Sequence, residues 1–193
     1  MSWDPYLDLE AGVLRNRLGL TDPEQLRRAE AGLTAVRLAQ LATRPLPGHY
    51  DLEHLQAFHR LIFGEVYDWA GELRTVSLGK SALFCPPEDL KAHAATVFDR
   101  MAHADHLRGR PRAAFVHGLT EVLAEINSLH PFREGNGRAQ RAFLSQLARA
   151  AGYPIRWTGL DPVANVAASR AAHLHGDTTP LRILLDSLVA GRP

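Results

Sequence analysis

The residues best placed to do chemistry stand in one run, His130-Pro131-Phe132-Arg133-Glu134-Gly135-Asn136-Gly137-Arg138, with Arg141 three residues further on. Gly135 and Gly137 allow backbone conformations closed to other residues and stand where a helical pattern begins. Successive free N–H groups at a helix start, aided by the helix dipole, cradle an anion. Arg138 and Arg141 project from one face of that helix. Two arginines beside an anion cradle point to a polyphosphate rather than a single carboxylate. Glu134 is a hard oxygen ligand suited to Mg²⁺ held mainly by phosphates and water. His130, at the other side of the loop, is able to take a proton near neutral pH. A base, a metal ligand, an anion nest and two cations fit phosphoryl or nucleotidyl transfer, where positioning and charge stabilisation supply most of the catalysis. Taken singly, each residue has a plainer reading: His130 as a helix end before proline, Glu134 or Asn136 as a cap, the arginines as exposed charges. The complete string in order outweighs those readings.

Helices must hold this run in place. One begins at Thr21-Asp22-Pro23-Glu24, with Thr21 and Glu24 at capping-box spacing, and carries Leu26, Ala29, Leu33, Val36 and Leu41. Thr43-Arg44-Pro45-Leu46-Pro47-Gly48 stops it. Asp51 caps a second helix; a third runs from about Glu88 to His103 and a fourth from about Pro111 to Leu129. The fifth starts near Gly137 and ends at Gly152, and Asp161-Pro162 and Thr179-Pro180 announce a final pair. From Gly71 to Pro87 the apolar residues Leu73, Val76, Leu78, Leu83 and Phe84 are interspersed with small polar ones, which predicts a short hairpin or flap. The expected fold class is all-α, a mostly helical domain with a small β element.

Composition narrows the classes. The 193 residues are 46% apolar, enough for a sizeable core. The net charge of +1 gives no diffuse field for nucleic acid or a membrane surface. Of the 22 basic residues 20 are arginine, a bias expected of a GC-rich genome, and the lysines are Lys80 and Lys91. Cys85 is the one cysteine, which excludes an internal disulfide and a cysteine-rich zinc site; it reads as a small buried residue, and Trp69 as a core aromatic. His103 with His106, and His173 with His175, lack a carboxylate or cysteine cluster at ligand spacing. No apolar run reaches the roughly 18 residues of a membrane span, and Met1-Ser2-Trp3-Asp4-Pro5 does not open a signal peptide. A cytoplasmic protein is expected.

The string from His130 to Arg141 resembles the signature of the Fic domain family, His-x-Phe-x-(Asp/Glu)-Gly-Asn-(Gly/Lys)-Arg-x-x-Arg, with every defined position filled. The likeness extends to the segment from Tyr67 to Val76, similar to the entry of the family's flap, and to Phe84-Cys85-Pro86-Pro87-Glu88, similar to its exit. Asp4-Pro5-Tyr6 and the stretch from Leu14 to Leu20 resemble a lead-in common among bacterial members. The resemblance implies one Fic domain over residues 1–193, with a core at about 50–155, an N-terminal helical lead-in over 1–49 and C-terminal helices over 156–193.

Most members transfer AMP from ATP to a hydroxyl side chain of a target protein and release pyrophosphate. By that resemblance His130 is the general base, Glu134 holds Mg²⁺ between the α- and β-phosphates, and Asn136 with the Gly135 and Gly137 backbone orients the phosphates. Arg138 is implied at the γ-phosphate, Arg141 at the phosphate–ribose region, and Phe132 as the apolar anchor of the loop. The flap, about Thr75 to Phe84 and including Val76 and Ser77, would pair with an extended target segment by strand addition. Lys80 reads equally as a phosphate or target contact and as a hairpin-tip charge that guards an edge. Gly137 stands where kinase members carry lysine, which favours nucleotidyl transfer; transfer of UMP, phosphate or phosphocholine, and a silent nucleotide-binding module, are the alternatives. Many members restrain themselves with a helix reading (Ser/Thr)-x-x-x-Glu-(Gly/Asn). No serine or threonine here has glutamate four residues later, so a small antitoxin bringing that helix is the expected partner. The expected target is a protein with a modifiable hydroxyl, a type II topoisomerase being the first class to try.

Overall fold

The computed structural model describes residues 4–79 and 83–191, so Lys80 lies outside the described residues. Among these the chain forms seven α-helices and one two-stranded antiparallel sheet. The sheet joins β1 (Leu7–Asp8) to β2 (Val13–Leu14), with Leu7 opposite Leu14 and Asp8 opposite Val13. Its turn is closed by the Asp8 carboxylate, which accepts the N–H groups of Glu10 and Ala11. The residues expected as a helical lead-in thus contain the only regular sheet among the described residues. Two-residue strands are too short to leave an alternation in the sequence. The flap itself shows a single Gly79–Leu83 bridge, with the Phe84 N–H donating to the Leu78 carbonyl at 3.0 Å.

The helices follow their caps. Asp22, rather than Thr21, caps α1 (Pro23–Thr43), accepting the Gln25 N–H at 2.7 Å. Asp51 caps α2 (Leu52–Phe63) through the His54 N–H at 2.8 Å. A 3-10 turn over Pro87–Asp89 leads into α3 (Leu90–His103). Next come α4 (Arg112–Leu129) and α5 (Asn136–Ala150). Asp161 caps α6 (Pro162–His175), and α7 (Thr179–Leu188) follows Thr178, so Thr179 is already helical.

Helix α4 runs through the middle, packed on α3, α5, α6 and α7, while α2 packs on α5 and α1. Phe115, Leu119, Ile126 and Leu129 of α4 and Phe143, Leu144 and Leu147 of α5 are fully buried. Each such side chain contributes about 1.5–3 kcal/mol of transfer free energy. Trp69 and Cys85 are buried as expected. The pairing of α4 with α5 is what matters for function: it fixes the end of one and the start of the other around residues 130–135. No described helix is long and apolar enough to cross a membrane.

Candidate active site

Helix α4 stops at His130, whose backbone turns left-handed (φ 45°, ψ 58°) while its N–H still bonds the Ile126 carbonyl at 3.1 Å. Helix α5 starts after Gly135, also left-handed at φ 80°. A Cβ there would lie 2.3 Å from the Phe63 ring, so glycine is required both by conformation and by space. A Cβ on Gly137 would crowd the Arg141 guanidinium at 3.2 Å. The loop between the helices is braced from inside. The Asn136 side chain accepts the Phe132 N–H at 2.9 Å and donates to the Phe132 carbonyl at 2.7 Å. Sequence reasoning places Asn136 on the phosphates. In the structure both ends of its amide bond Phe132 and the residue is 3% exposed, so here the side chain braces the loop.

Phe132 is buried and stacks on His59 at 3.9 Å, and His59 stacks on Phe63 at 4.6 Å. The His59 tautomer follows from its neighbours. Its Nδ1 accepts the Gly71 N–H at 2.8 Å, so Nε2 carries the proton and donates to the Glu134 carbonyl at 2.9 Å. Burial lowers the His59 pKa to about 4. His59 is therefore a neutral strut under the loop, which no sequence signal announces.

At the start of α5 the N–H groups of Asn136 and Gly137 have no partner among the described residues, while the Gly135 N–H is accepted by the Glu134 carboxylate at 2.8 Å. The two motif arginines flank this nest and differ in their surroundings. Arg138 lies over the Phe63 ring, 4.6 Å from its centroid, and pairs with Glu30 at 2.6 Å and Glu134 at 3.4 Å. Arg141 has no ion pair among the described residues. Burial, then the nearby Arg138 charge, lowers its pKa. An unpaired, partly buried guanidinium beside two free N–H donors is an arrangement that an anion completes. Glu134 is half-exposed and faces the same nest. No group of three His, Cys, Asp or Glu suitable for a metal occurs among the described residues. One carboxylate fits Mg²⁺ carried in chiefly by phosphate oxygens and water.

His130 stands at the other end of the loop, at the close of α4. Its Nδ1 is buried without a hydrogen-bond partner, and the Phe84 ring lies flat against it, 4.0 Å between centroids and 11° between planes. Burial first, then the Arg74 charge, lowers its pKa to about 4, with the Asn127 backbone opposing and His173 adding to the fall. His130 is thus neutral at pH 7, the state a proton acceptor needs. The structure brings in a residue to which sequence reasoning gave no role. Arg74, 2% exposed, donates from Nε to the His130 carbonyl at 2.7 Å and from its two Nη atoms to the carbonyls of Val76, Cys85 and Leu129. Its own N–H bonds the Pro131 carbonyl at 2.9 Å. One buried guanidinium therefore ties both ends of the flap to the loop that begins at His130.

Of the expected flap residues, Phe84 touches His130, and Val76 reaches it through Arg74. Thr75 faces the N-terminal segment instead, its N–H donating to the Tyr6 hydroxyl at 3.0 Å, and Ser77 is exposed. That N-terminal segment also grips the loop, since Arg133 pairs with Asp4 at 2.8 Å. Beside His130 and Phe84, toward α6, opens a cavity of about 600 Å³ reaching His173 and Arg170.

A helical frame that presents a neutral imidazole and an arginine-flanked nest at the two ends of one short loop defines a site for transferring a group from a phosphate-bearing donor. The chain belongs to the Fic/DOC family, whose model matches residues 49–148. It is 40% identical over 155 residues to protein adenylyltransferase VbhT of Bartonella schoenbuchensis, covering 80% of this chain but 32% of that protein. It is 35% identical over 188 residues to the probable protein adenylyltransferase Fic of Escherichia coli, covering 97% of this chain and 92% of that one. Among solved structures, the N-terminal Fic domain of a putative cell filamentation protein of Bartonella quintana, with bound ADP, superimposes with a TM-score of 0.91 at 26% identity, covering 97% of this chain and 95% of that one.

Proposed function

We propose that the chain is a protein adenylyltransferase that moves AMP from ATP to a hydroxyl side chain of another protein. One observation carries the reading: unpaired Arg141 and the free N–H groups of Asn136 and Gly137 stand at the start of α5, and the neutral His130 at the end of α4, joined by one short loop. The triphosphate lies in the nest, with Arg141 and Arg138 on its charge and the Gly137 backbone against it. The target segment lies along the flap, which delivers its hydroxyl to the α-phosphorus. His130 takes the hydroxyl proton on Nε2 as the oxygen bonds to phosphorus. The bond from the α-phosphorus to the bridging oxygen breaks, and pyrophosphate leaves. Glu134 would hold Mg²⁺, which spreads the charge that develops on the phosphates. ADP bound to the Bartonella quintana relative supports a nucleotide here. A small antitoxin inserting an acidic helix beside the arginines would restrain the enzyme, which would act in the cytoplasm on a target such as a type II topoisomerase.

The test is labelling of a cell lysate with ATP carrying radioactive phosphorus at either the α or the γ position. AMP transfer labels a protein from α only, and His130→Ala loses about 10²- to 10⁴-fold of that rate. Label from the γ position would make the chain a kinase, label from UTP in preference to ATP a uridylyltransferase. Full transfer by His130→Ala would remove the base from its role. Co-purification of a small protein reading (Ser/Thr)-x-x-x-Glu-(Gly/Asn) tests the partner separately.

A further inference from the structure

The segment that holds β1 and β2 precedes the stretch that the family model matches, yet it touches both halves of the site. Its contacts form one continuous path. One oxygen of the Asp4 carboxylate takes the Arg133 fork, Nε at 2.9 Å and Nη2 at 2.8 Å, with the two side chains 21% and 20% exposed. The other oxygen accepts the Tyr6 N–H at 3.0 Å. The Tyr6 hydroxyl accepts the Thr75 N–H at 3.0 Å and lies 3.3 Å from the Thr75 hydroxyl. Tyr6 is buried, its ring meeting the Trp69 ring edge-on at 5.3 Å. The path thus runs from the motif loop, through Asp4 and Tyr6, to the entry of the flap. Arg133 has no other ion-pair partner among the described residues, and no other described residue accepts the Thr75 N–H. The segment has its own footing, because the Tyr6 carbonyl accepts the Arg15 N–H at 2.8 Å and the Arg17 N–H donates to the Val66 carbonyl at 2.8 Å. The Arg74 guanidinium joins the flap to Leu129 and His130, at the α4 end of the loop; this strap reaches the loop at Arg133, nearer α5.

We infer that Asp4 and Tyr6 are positioning residues for the transfer: Asp4 holds Arg133, and with it the loop before the nest, while Tyr6 holds Thr75, and with it the flap, so that one strap sets where donor and target lie relative to each other. This rests on the function proposed above. Neither side chain bonds His130, Arg138 or Arg141, so each acts through the residue it holds. A displacement of about 1 Å between reacting groups is enough to cost most of an in-line transfer. Pinning the loop and the flap beforehand also removes the cost of ordering them when the ligands arrive. The two residues divide the work: Asp4 serves the nucleotide side directly and the flap through the Tyr6 N–H, whereas the Tyr6 hydroxyl serves the flap alone.

The experiment compares the full chain as wild type, Tyr6→Phe, Asp4→Ala, Arg133→Ala and the double variant of Asp4 and Arg133, at a temperature where thermal melts show each one folded. Two readouts separate the halves of the site. One is titration calorimetry with a non-hydrolysable ATP analogue and Mg²⁺; the other is the rate at which dilute cell lysate takes label from ATP labelled at the α position, with nucleotide saturating. Tyr6→Phe keeps the ring on Trp69 and loses the oxygen. It is expected to slow labelling about fivefold, the size of one hydrogen bond, with analogue affinity within about twofold of the wild type. Asp4→Ala releases Arg133 and the Tyr6 N–H together, so it weakens the analogue by about tenfold and slows labelling as well. Its loss of analogue affinity adds nothing in the Arg133→Ala background. If either Tyr6→Phe or Asp4→Ala melts lower yet matches the wild type in both readouts, the strap supports the fold alone and the inference is overturned. Equal losses in both readouts for Tyr6→Phe overturn it too, as does an Asp4→Ala loss that adds in full to that of Arg133→Ala. Should Asp4→Ala fail to fold, Asp4→Asn keeps the test open: it retains an acceptor for the Tyr6 N–H, loses the charge that faces Arg133, and predicts a smaller loss of analogue affinity, wild-type affinity there overturning the role of Asp4. A wild type that labels nothing overturns the proposed function and this inference together. A wild type that labels, with variants that bind and label equally well, overturns this inference alone.

Discussion

Replacing Arg74 by methionine tests whether one buried guanidinium assembles the site. Methionine keeps much of the length and volume and removes the charge and every donor. Four carbonyls, those of His130, Val76, Cys85 and Leu129, then lose a charged partner inside the protein. A hydrogen bond to a charged group contributes about 1.5–3 kcal/mol, and four sharing one donor group are not additive, so about 3–5 kcal/mol of stability is the expected loss. In a chain of this length that is a fall in melting temperature of about 10 °C. A second effect is separable from stability. Arg74 is the second cause, after burial, of the low His130 pKa, so its removal raises that pKa from about 4 toward the ordinary imidazole value. With His130 as the proposed base, the acid limb of the kcat/KM profile then moves to higher pH. Thermal unfolding and that profile, measured well below the melting temperature, are the assays. Arg74→Lys is the control: it keeps the charge, and so the low pKa, but a flexible ammonium recovers only part of the stability. A methionine variant with the wild-type melting temperature and the wild-type acid limb would refute the reasoning.

Two further outcomes are expected. His59 and His130 both have pKa values lowered to about 4 in the folded chain, so between pH 6.5 and 4 the unfolded state binds more protons. Stability therefore falls as the pH drops through that window, by about 3 kcal/mol from fully buried His59 alone, and these groups add no further loss below it. A urea-unfolding midpoint that stays flat from about pH 7 to 4.5 would contradict the environment described for both rings. Gly135→Ala forces a methyl group within 2.3 Å of the Phe63 ring at a left-handed position, which should cost about 1–3 kcal/mol and abolish tight nucleotide binding. Wild-type nucleotide affinity in that variant would show that the loop does not need its seat on Phe63.

The sequence displays best what depends on neighbours along the chain. Asp51 and Asp161 cap helices because a carboxylate before a helix start accepts a nearby N–H whatever the tertiary setting. The end of α4 could be read from His130-Pro131 for the same reason, and the start of α5, expected near Gly137, lies one residue earlier at Asn136. Contacts between distant segments leave no such mark. Arg74 is one of 20 arginines, and only the folded chain shows its guanidinium between the flap and the loop that begins at His130. Glu30 stands 108 residues before Arg138 in a helix whose other acid, Glu24, makes ordinary surface pairs with Arg27 and Arg28. Asn136 shows a subtler limit. Its position in the motif announces importance, but a side chain that braces a loop and one that binds a ligand look alike until its partners are seen.

The left-handed backbone at His130 has a consequence for how this protein can evolve. Helices that end in this conformation usually do so on glycine, because a Cβ there is strained by about 1–2 kcal/mol. This chain instead places a bulky ring there and encloses one of its nitrogens without a partner. A lineage drifting under selection for robustness alone would be drawn toward glycine at this position and would lose the proposed base in a single step toward a sturdier protein. For the fold alone, a histidine here costs more than a glycine would.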